Sequence, residues 1–147
     1  MIQRIQTVYL FLAAVLEMLC LCMPIAHVSS NGILQSTMYN LWIVNADRSH
    51  EMSYTAIYFG LLVVGICLSM VTVFLYRNRK AQMKFCIAAV VLLIVYILPL
   101  ANTFVQNQDI KPTMFLACPV VALILNLMAY IAIRKDERLV RSADRLR

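Results

Sequence analysis

Four long apolar runs, a shortage of charge and a one-sided placement of basic residues predict an all-α membrane protein. The expected architecture is an antiparallel bundle of four transmembrane helices with a cytoplasmic, amphipathic C-terminal helix. Of the 147 residues, 63% are hydrophobic and 14% are charged, and mean hydropathy is +0.80. Soluble domains are typically ~45–50% apolar and ~25% charged. A soluble fold of this length has too few polar residues to shield four such runs, so residues 1–147 read as one integral membrane domain.

The elements follow in order. A helix needs roughly 20 apolar residues to cross the hydrocarbon core. Residues 7–26 form the first such run, interrupted only by Glu17. Residues 54–76, 85–104 and 113–133 form three more, all uncharged. A bare backbone finds no hydrogen-bond partner in lipid, so spans are helices or closed barrels. These runs lack the alternation of barrel strands. The outer loop 27–53 holds Tyr39 and Leu41-Trp42-Ile43-Val44, which predict a short strand or an interfacial helix at the lipid–water boundary. The connection 105–112 reads as a tight turn through Asn107, Asp109 and Pro112. With the short inner loop 77–84, it forces neighbouring spans to run antiparallel.

Orientation follows from charge. Eleven of the 13 Lys and Arg residues lie at the N-terminus, in the inner loop or in the tail 134–147. Only Arg48 and Lys111 lie on the other side. The positive-inside rule puts both termini in the cytoplasm. Residues 1–6 with the first run also resemble a signal peptide, with Val28-Ser29-Ser30 as a cleavage site. Cleavage would leave three spans and satisfy the charge rule equally. The run is longer than the usual ~7–15 residues of a signal core and carries Glu17, so retention is expected.

Composition also bears on chemistry. The formal charge of +6 sits beside the spans, which points to anionic lipid head groups rather than nucleic acid. Cys20, Cys22, Cys67, Cys86 and Cys118 all lie in or beside apolar runs. They read as small apolar packing residues, not as a disulfide framework. His27, His50, Asp47 and Glu51 are metal-ligand types in one loop, but their spacing matches no metal motif, and no metal or cofactor is expected. Pro24, Pro99 and Pro119 read as kinks at or near span ends; the alternative is a splayed, shallow outer vestibule. No nucleophile–base set or phosphate-cradling loop is visible, so the chain reads as non-enzymatic.

Glu17 is the one charged residue inside a span. Counting from residue 7, it lies roughly 15 Å deep. A carboxylate there costs ~2.5 kcal/mol or more, and no Lys or Arg lies in any span to pair with it. A protonated, hydrogen-bonding carboxyl is the expected form. Tyr96 lies at similar depth and Asn126 roughly 10 Å from the inner edge. Glu17, Tyr96 and Asn126 form a candidate intramembrane polar site. It has three readings: a proton or cation site, an interhelical hydrogen bond worth ~0.6–2 kcal/mol, or contact with a partner subunit. Small multidrug-resistance transporters are similar in size and span number and carry a Glu in their first helix. They have shorter loops and Gly-rich packing motifs, unlike this chain.

The tail is the most patterned segment. At 100° per residue Arg134, Arg138, Arg141 and Arg145 share one stripe, with Leu139, Ala143 and Leu146 nearly opposite. Glu137 and Arg141 form a favourable i,i+4 pair. The tail and the inner-loop residues Arg77, Arg79, Lys80 and Lys84 make a basic surface for lipid head groups or a partner. Positive-inside counting does not require such alignment, so this surface is where a function is expected.

The N-terminal segment Met1-Ile2-Gln3-Arg4-Ile5-Gln6-Thr7 is one of three recognisable signatures. The others are Tyr76-Arg77-Asn78-Arg79-Lys80 with Gln82, and Ile133-Arg134-Lys135-Asp136-Glu137 continuing through Leu139 to Arg147. Together they resemble a family of uncharacterised four-span inner-membrane proteins of Bacteroidetes, a domain-of-unknown-function family. The resemblance runs the length of the chain. It implies a four-span topology in a bacterial inner membrane and supplies no activity, cofactor or site residue. A mid-span Glu is not part of that pattern. The expected role is an accessory or scaffold subunit that docks anionic lipid, a membrane or cytoplasmic partner or a second copy through its basic face. The alternative is a small proton- or cation-coupled transporter using Glu17.

Overall fold

The structure is a computed structural model and describes residues 3–30, 33–52, 56–75, 78–107 and 109–145. Four helices are long and apolar enough to cross a membrane: α1 (Gln3–Cys22), α2 (Ala56–Phe74), α3 (Arg79–Gln106) and α4 (Ala117–Arg145). They pack as a ring in which α1 and α3 each lie between α2 and α4. The buried face mixes small or polar residues (Ala13, Ala14, Gly65, Ser69, Thr72, Ala89, Ala122 and Ala129) with large apolar ones such as Leu10, Leu62, Leu93 and Ile133. Other large apolar side chains point outward, with Ile57 70%, Phe74 75%, Leu98 64% and Ile131 64% exposed.

Two helices outrun the expected spans. The predicted inner loop is shorter than expected because α3 begins at Arg79. Asn78 caps it: its side chain accepts from the Ala81 amide at 3.3 Å, satisfying one of the free donors of a helix start. Arg79, Lys80 and Lys84 therefore lie on a helix, not in a loop. The tail is likewise no separate surface helix, since α4 continues unbroken to Arg145. No Gly or Pro interrupts it after Pro119.

The α1–α2 and α3–α4 connections correct the all-α expectation. They supply five strands, β1 (Ala26–Ser30), β2 (Ile33–Met38), β3 (Trp42–Asn45), β4 (His50–Met52) and β5 (Ile110–Pro112). These form one antiparallel sheet of order β4-β3-β2-β1-β5. Strand, not interfacial helix, is the form taken by the Trp42-Ile43-Val44 cluster. The expected tight turn at 105–112 supplies β5, whose Pro112 pairs with Ala26; an edge strand tolerates a residue without an N–H. Ala26 thus belongs to β1 rather than to the first span. The β3–β4 turn places Arg48 at φ 59° and closes with Asn45 N–H donating to Ser49 O at 3.1 Å.

Sheet and bundle share one core. Ala26 and Met38 of the sheet pack with Cys20, Leu62, Leu93, Tyr96 and Leu100 of the helices, and Ile43 and Ile110 press on the same cluster. The sheet therefore caps one end of the bundle. A second cluster of Leu10, Cys86, Ala129 and Ile133 fills the opposite end. The prolines behave differently from one another. Pro24 lies between α1 and β1, where α1 has already ended. Pro119 sits in the first turn of α4, where a missing N–H costs nothing. Pro99 lies in the interior of α3.

Candidate functional site

Three polar assemblies lie along the bundle. The first is Glu17 with Asn126. Both are fully buried, and the Asn126 Nδ2 donates to Glu17 Oε1 at 3.4 Å. Glu17 Oε2 and Asn126 Oδ1 have no protein partner. Gly65 of α2 makes room for this carboxyl: a Cβ there would stand 3.2 Å from Oε2.

The second assembly separates Tyr96 from Glu17. The Tyr96 hydroxyl donates to Asn40 Oδ1 at 2.9 Å and lies 3.6 Å from Cys20 Sγ. Asn40, in the β2–β3 turn, donates from Nδ2 to the Cys20 carbonyl at 2.8 Å. That carbonyl is among the last four of α1, which have no partner within the helix. Tyr58 stacks edge-on to Tyr96 with centroids 5.8 Å apart. The predicted trio of Glu17, Tyr96 and Asn126 is thus a pair and a separate residue. Tyr96 joins the bundle to the sheet.

The third assembly lies at the end remote from the sheet, here termed the basic end. Gln6 of α1 donates from Nε2 to Asp136 Oδ2 of α4, and both residues are buried. Arg79 Nη1 donates to the Asp136 carbonyl at 3.3 Å. Gln82 Nε2 donates to the Thr72 carbonyl at 3.3 Å, which ties α3 to the end of α2. Beside this network a groove of about 320 Å³ opens between α3 and α4, lined by Met83, Tyr130, Arg134, Glu137 and Arg138.

Of the predicted basic residues, Arg79, Lys80, Lys84, Arg134 and Arg138 share this end. Lys80, Lys84, Arg134 and Arg138 are exposed. Arg77 lies outside the described residues, as do the side chains of Arg141 and Arg145. His27 and His50 sit on β1 and β4 with two strands between them, so the sheet holds them apart. Cys20 is buried and Cys22 exposed, as expected for helix positions two apart. Sequence reasoning missed Asn40, Gln6 and Asp136. Asn40 sat in what read as an open loop, and Asp136 was hidden among the tail arginines.

The family described as a domain of unknown function (DUF4293) matches residues 2–146. The chain belongs to the DUF4293 family. No curated protein matches the chain. The N-terminal segment, the α2–α3 junction and the tail, which carried the resemblance, all fall at or beside the basic end.

Proposed function

We propose that this DUF4293 protein is a non-enzymatic integral protein of a bacterial inner membrane, with both termini cytoplasmic. In this reading it is an accessory or scaffold subunit whose basic end docks anionic head groups or an acidic partner. The carrying observation is that cationic side chains of α3 and α4 meet at one end, on helices tied together by the Arg79–Asp136 and Gln6–Asp136 bonds. Bonded helices hold the charges in fixed positions, which favours recognition over diffuse attraction. Membrane insertion is supported by four helices of spanning length whose large apolar side chains are widely exposed. Helices in lipid gain no hydrophobic drive to associate, and small and polar residues such as Ala13, Gly65, Ser69 and Asn126 let them pack closely.

The test is charge reversal of Arg138, Arg141 and Arg145 to Glu, followed by mild detergent extraction. A stoichiometric protein partner retained by wild type and lost from the variant, with membrane insertion intact, is the expected result. An unchanged set of co-purifying proteins would sink the docking of a protein partner.

One observation favours a second reading, a proton- or cation-coupled transporter. Glu17 Oε2 and Asn126 Oδ1 are buried acceptors without protein partners, as a site for a small cation or proton requires. Transport lost in Glu17→Gln would favour it; coupled uptake unaltered by that change would exclude it.

A further inference from the structure

We propose that the groove between α3 and α4 at the basic end binds the head group of one anionic phospholipid. The inference rests on the membrane reading above and adds a ligand class and a site to it. Arg134 and Arg138 are four residues apart on α4, so they stack on one face about 6 Å apart along the axis. Guanidinium groups present several donors in a planar fork that suits phosphate oxygens. Two of them line the groove against one carboxylate, that of Glu137. The other acidic group nearby, Asp136, is buried and accepts from Gln6, and it does not line the groove. Lys80 and Lys84 stand exposed on α3 beside Met83 and add to the local positive potential.

Depth selects lipid over a free anion. Tyr130 lies one turn closer to the middle of the bundle than Arg134, where an aromatic ring with a hydroxyl suits the lipid–water boundary. One further turn in that direction, the same seam presents Leu127 of α4 and Ile87 of α3, both large, apolar and exposed. A phosphate seated on Arg134 and Arg138 therefore has an apolar track for its acyl chains running away from it. Basic pockets between helices at the cytoplasmic boundary are a recognised setting for acidic head groups. The groove volume of about 320 Å³ admits one head group.

The experiment uses the full chain, purified, stripped of lipid and titrated with phosphatidylglycerol or phosphatidylcholine under native mass spectrometry. Wild type is expected to retain one phosphatidylglycerol in preference to phosphatidylcholine. Arg134→Gln with Arg138→Gln is expected to weaken that retention about thirtyfold, or about fivefold for each arginine, the fold-change equivalent to ~1 kcal/mol per basic residue near an anionic surface. Met83→Trp, which fills the groove without changing charge, is expected to weaken it as well. Lys111→Gln, at the sheet end, is expected to leave it unchanged. Equal retention of the two lipids would overturn the proposal. So would equal losses in Lys80→Gln/Lys84→Gln and the arginine variant, or displacement of the lipid by inorganic phosphate. Membrane fractionation of each protein is read first. An inserted wild type without lipid preference removes only this inference, whereas a chain absent from the membrane removes the reading beneath it.

Discussion

Within the apolar junction between sheet and bundle, one amide makes the polar link, and that makes it measurable. Asn40 donates to the Cys20 carbonyl and accepts from Tyr96, and Asn40 and Tyr96 are buried. The Tyr96 hydroxyl donates to Asn40 Oδ1, which turns the amide nitrogen towards the Cys20 carbonyl. Tyr96→Phe removes one donor and leaves Asn40 Oδ1 buried and unsatisfied, at a cost of about 1–2 kcal/mol. Asn40→Ala strips the partner from both the hydroxyl and the helix-end carbonyl, and is expected to cost about 2–4 kcal/mol. The double variant is expected to cost little more than Asn40→Ala alone, which gives a coupling of about 1 kcal/mol. Equilibrium unfolding in mixed detergent, followed by circular dichroism, gives the three energies. The alkylation rate of buried Cys20 reports opening of the same junction. If the two single costs simply add, within ~0.3–0.5 kcal/mol as for independent sites, Tyr96 does not orient Asn40 and the reasoning fails.

Other expectations concern the interior and the topology. Glu17→Gln keeps the acceptor for Asn126 and is expected to change stability by less than ~0.5 kcal/mol, whereas Glu17→Ala strands the Asn126 amide and should cost about 1–2 kcal/mol in the same unfolding assay. At Gly65, alanine requires only a small shift of the Glu17 carboxyl, the mobile end of its side chain, and should be tolerated. Leucine there should destabilise by about 1–3 kcal/mol through overpacking; an unaffected Gly65→Leu would show that α2 does not close on Glu17. A cysteine at Arg48 in a chain otherwise cleared of cysteines should react with an impermeant thiol reagent added outside intact cells, and one at Arg138 should not. The reverse pattern would overturn the proposed orientation.

The four helices were legible because each needs only its own residues: twenty apolar positions in a row state their length without reference to the rest of the chain. The sheet was only half legible. Trp42-Ile43-Val44 favours extended structure locally, but β1 and β5 are short and polar, and β5 pairs with a strand more than 80 positions earlier. Pairing at that distance leaves no local periodicity. Tyr96 misled in the same way. Its depth matched that of Glu17, but depth does not say which face of α3 it occupies or that a loop residue enters to meet it. Lys84 and Arg134, grouped by counting charge, do share one end of the bundle, whereas the continuity of α3 and α4 through them was missed because charge was taken to mark the helix ends.

The register of α1 against α4 shows what the buried polar residues contribute. Antiparallel helices in register keep the sum of paired residue numbers nearly constant. Gln6 meets Asp136 and Glu17 meets Asn126, two pairs whose sums differ by one. The pairs lie ten to eleven residues apart, about 15–16 Å along the axis. Sliding α4 by a single turn would break both at once and strand four buried polar side chains. The intervening buried residues are the small Ala13, Ala14 and Ala129 with Leu10 and Ile133; a small side chain packs against almost any neighbour. In lipid, where apolar contacts between helices and with acyl chains are nearly equivalent, the two polar pairs penalise a shifted alignment more than these contacts do. The observed alignment also sets the height of Arg134 and Arg138 relative to α3. Disrupting Gln6–Asp136 with Asp136→Ala should consequently loosen the basic groove while leaving the sheet end and its Cys20 protection unchanged.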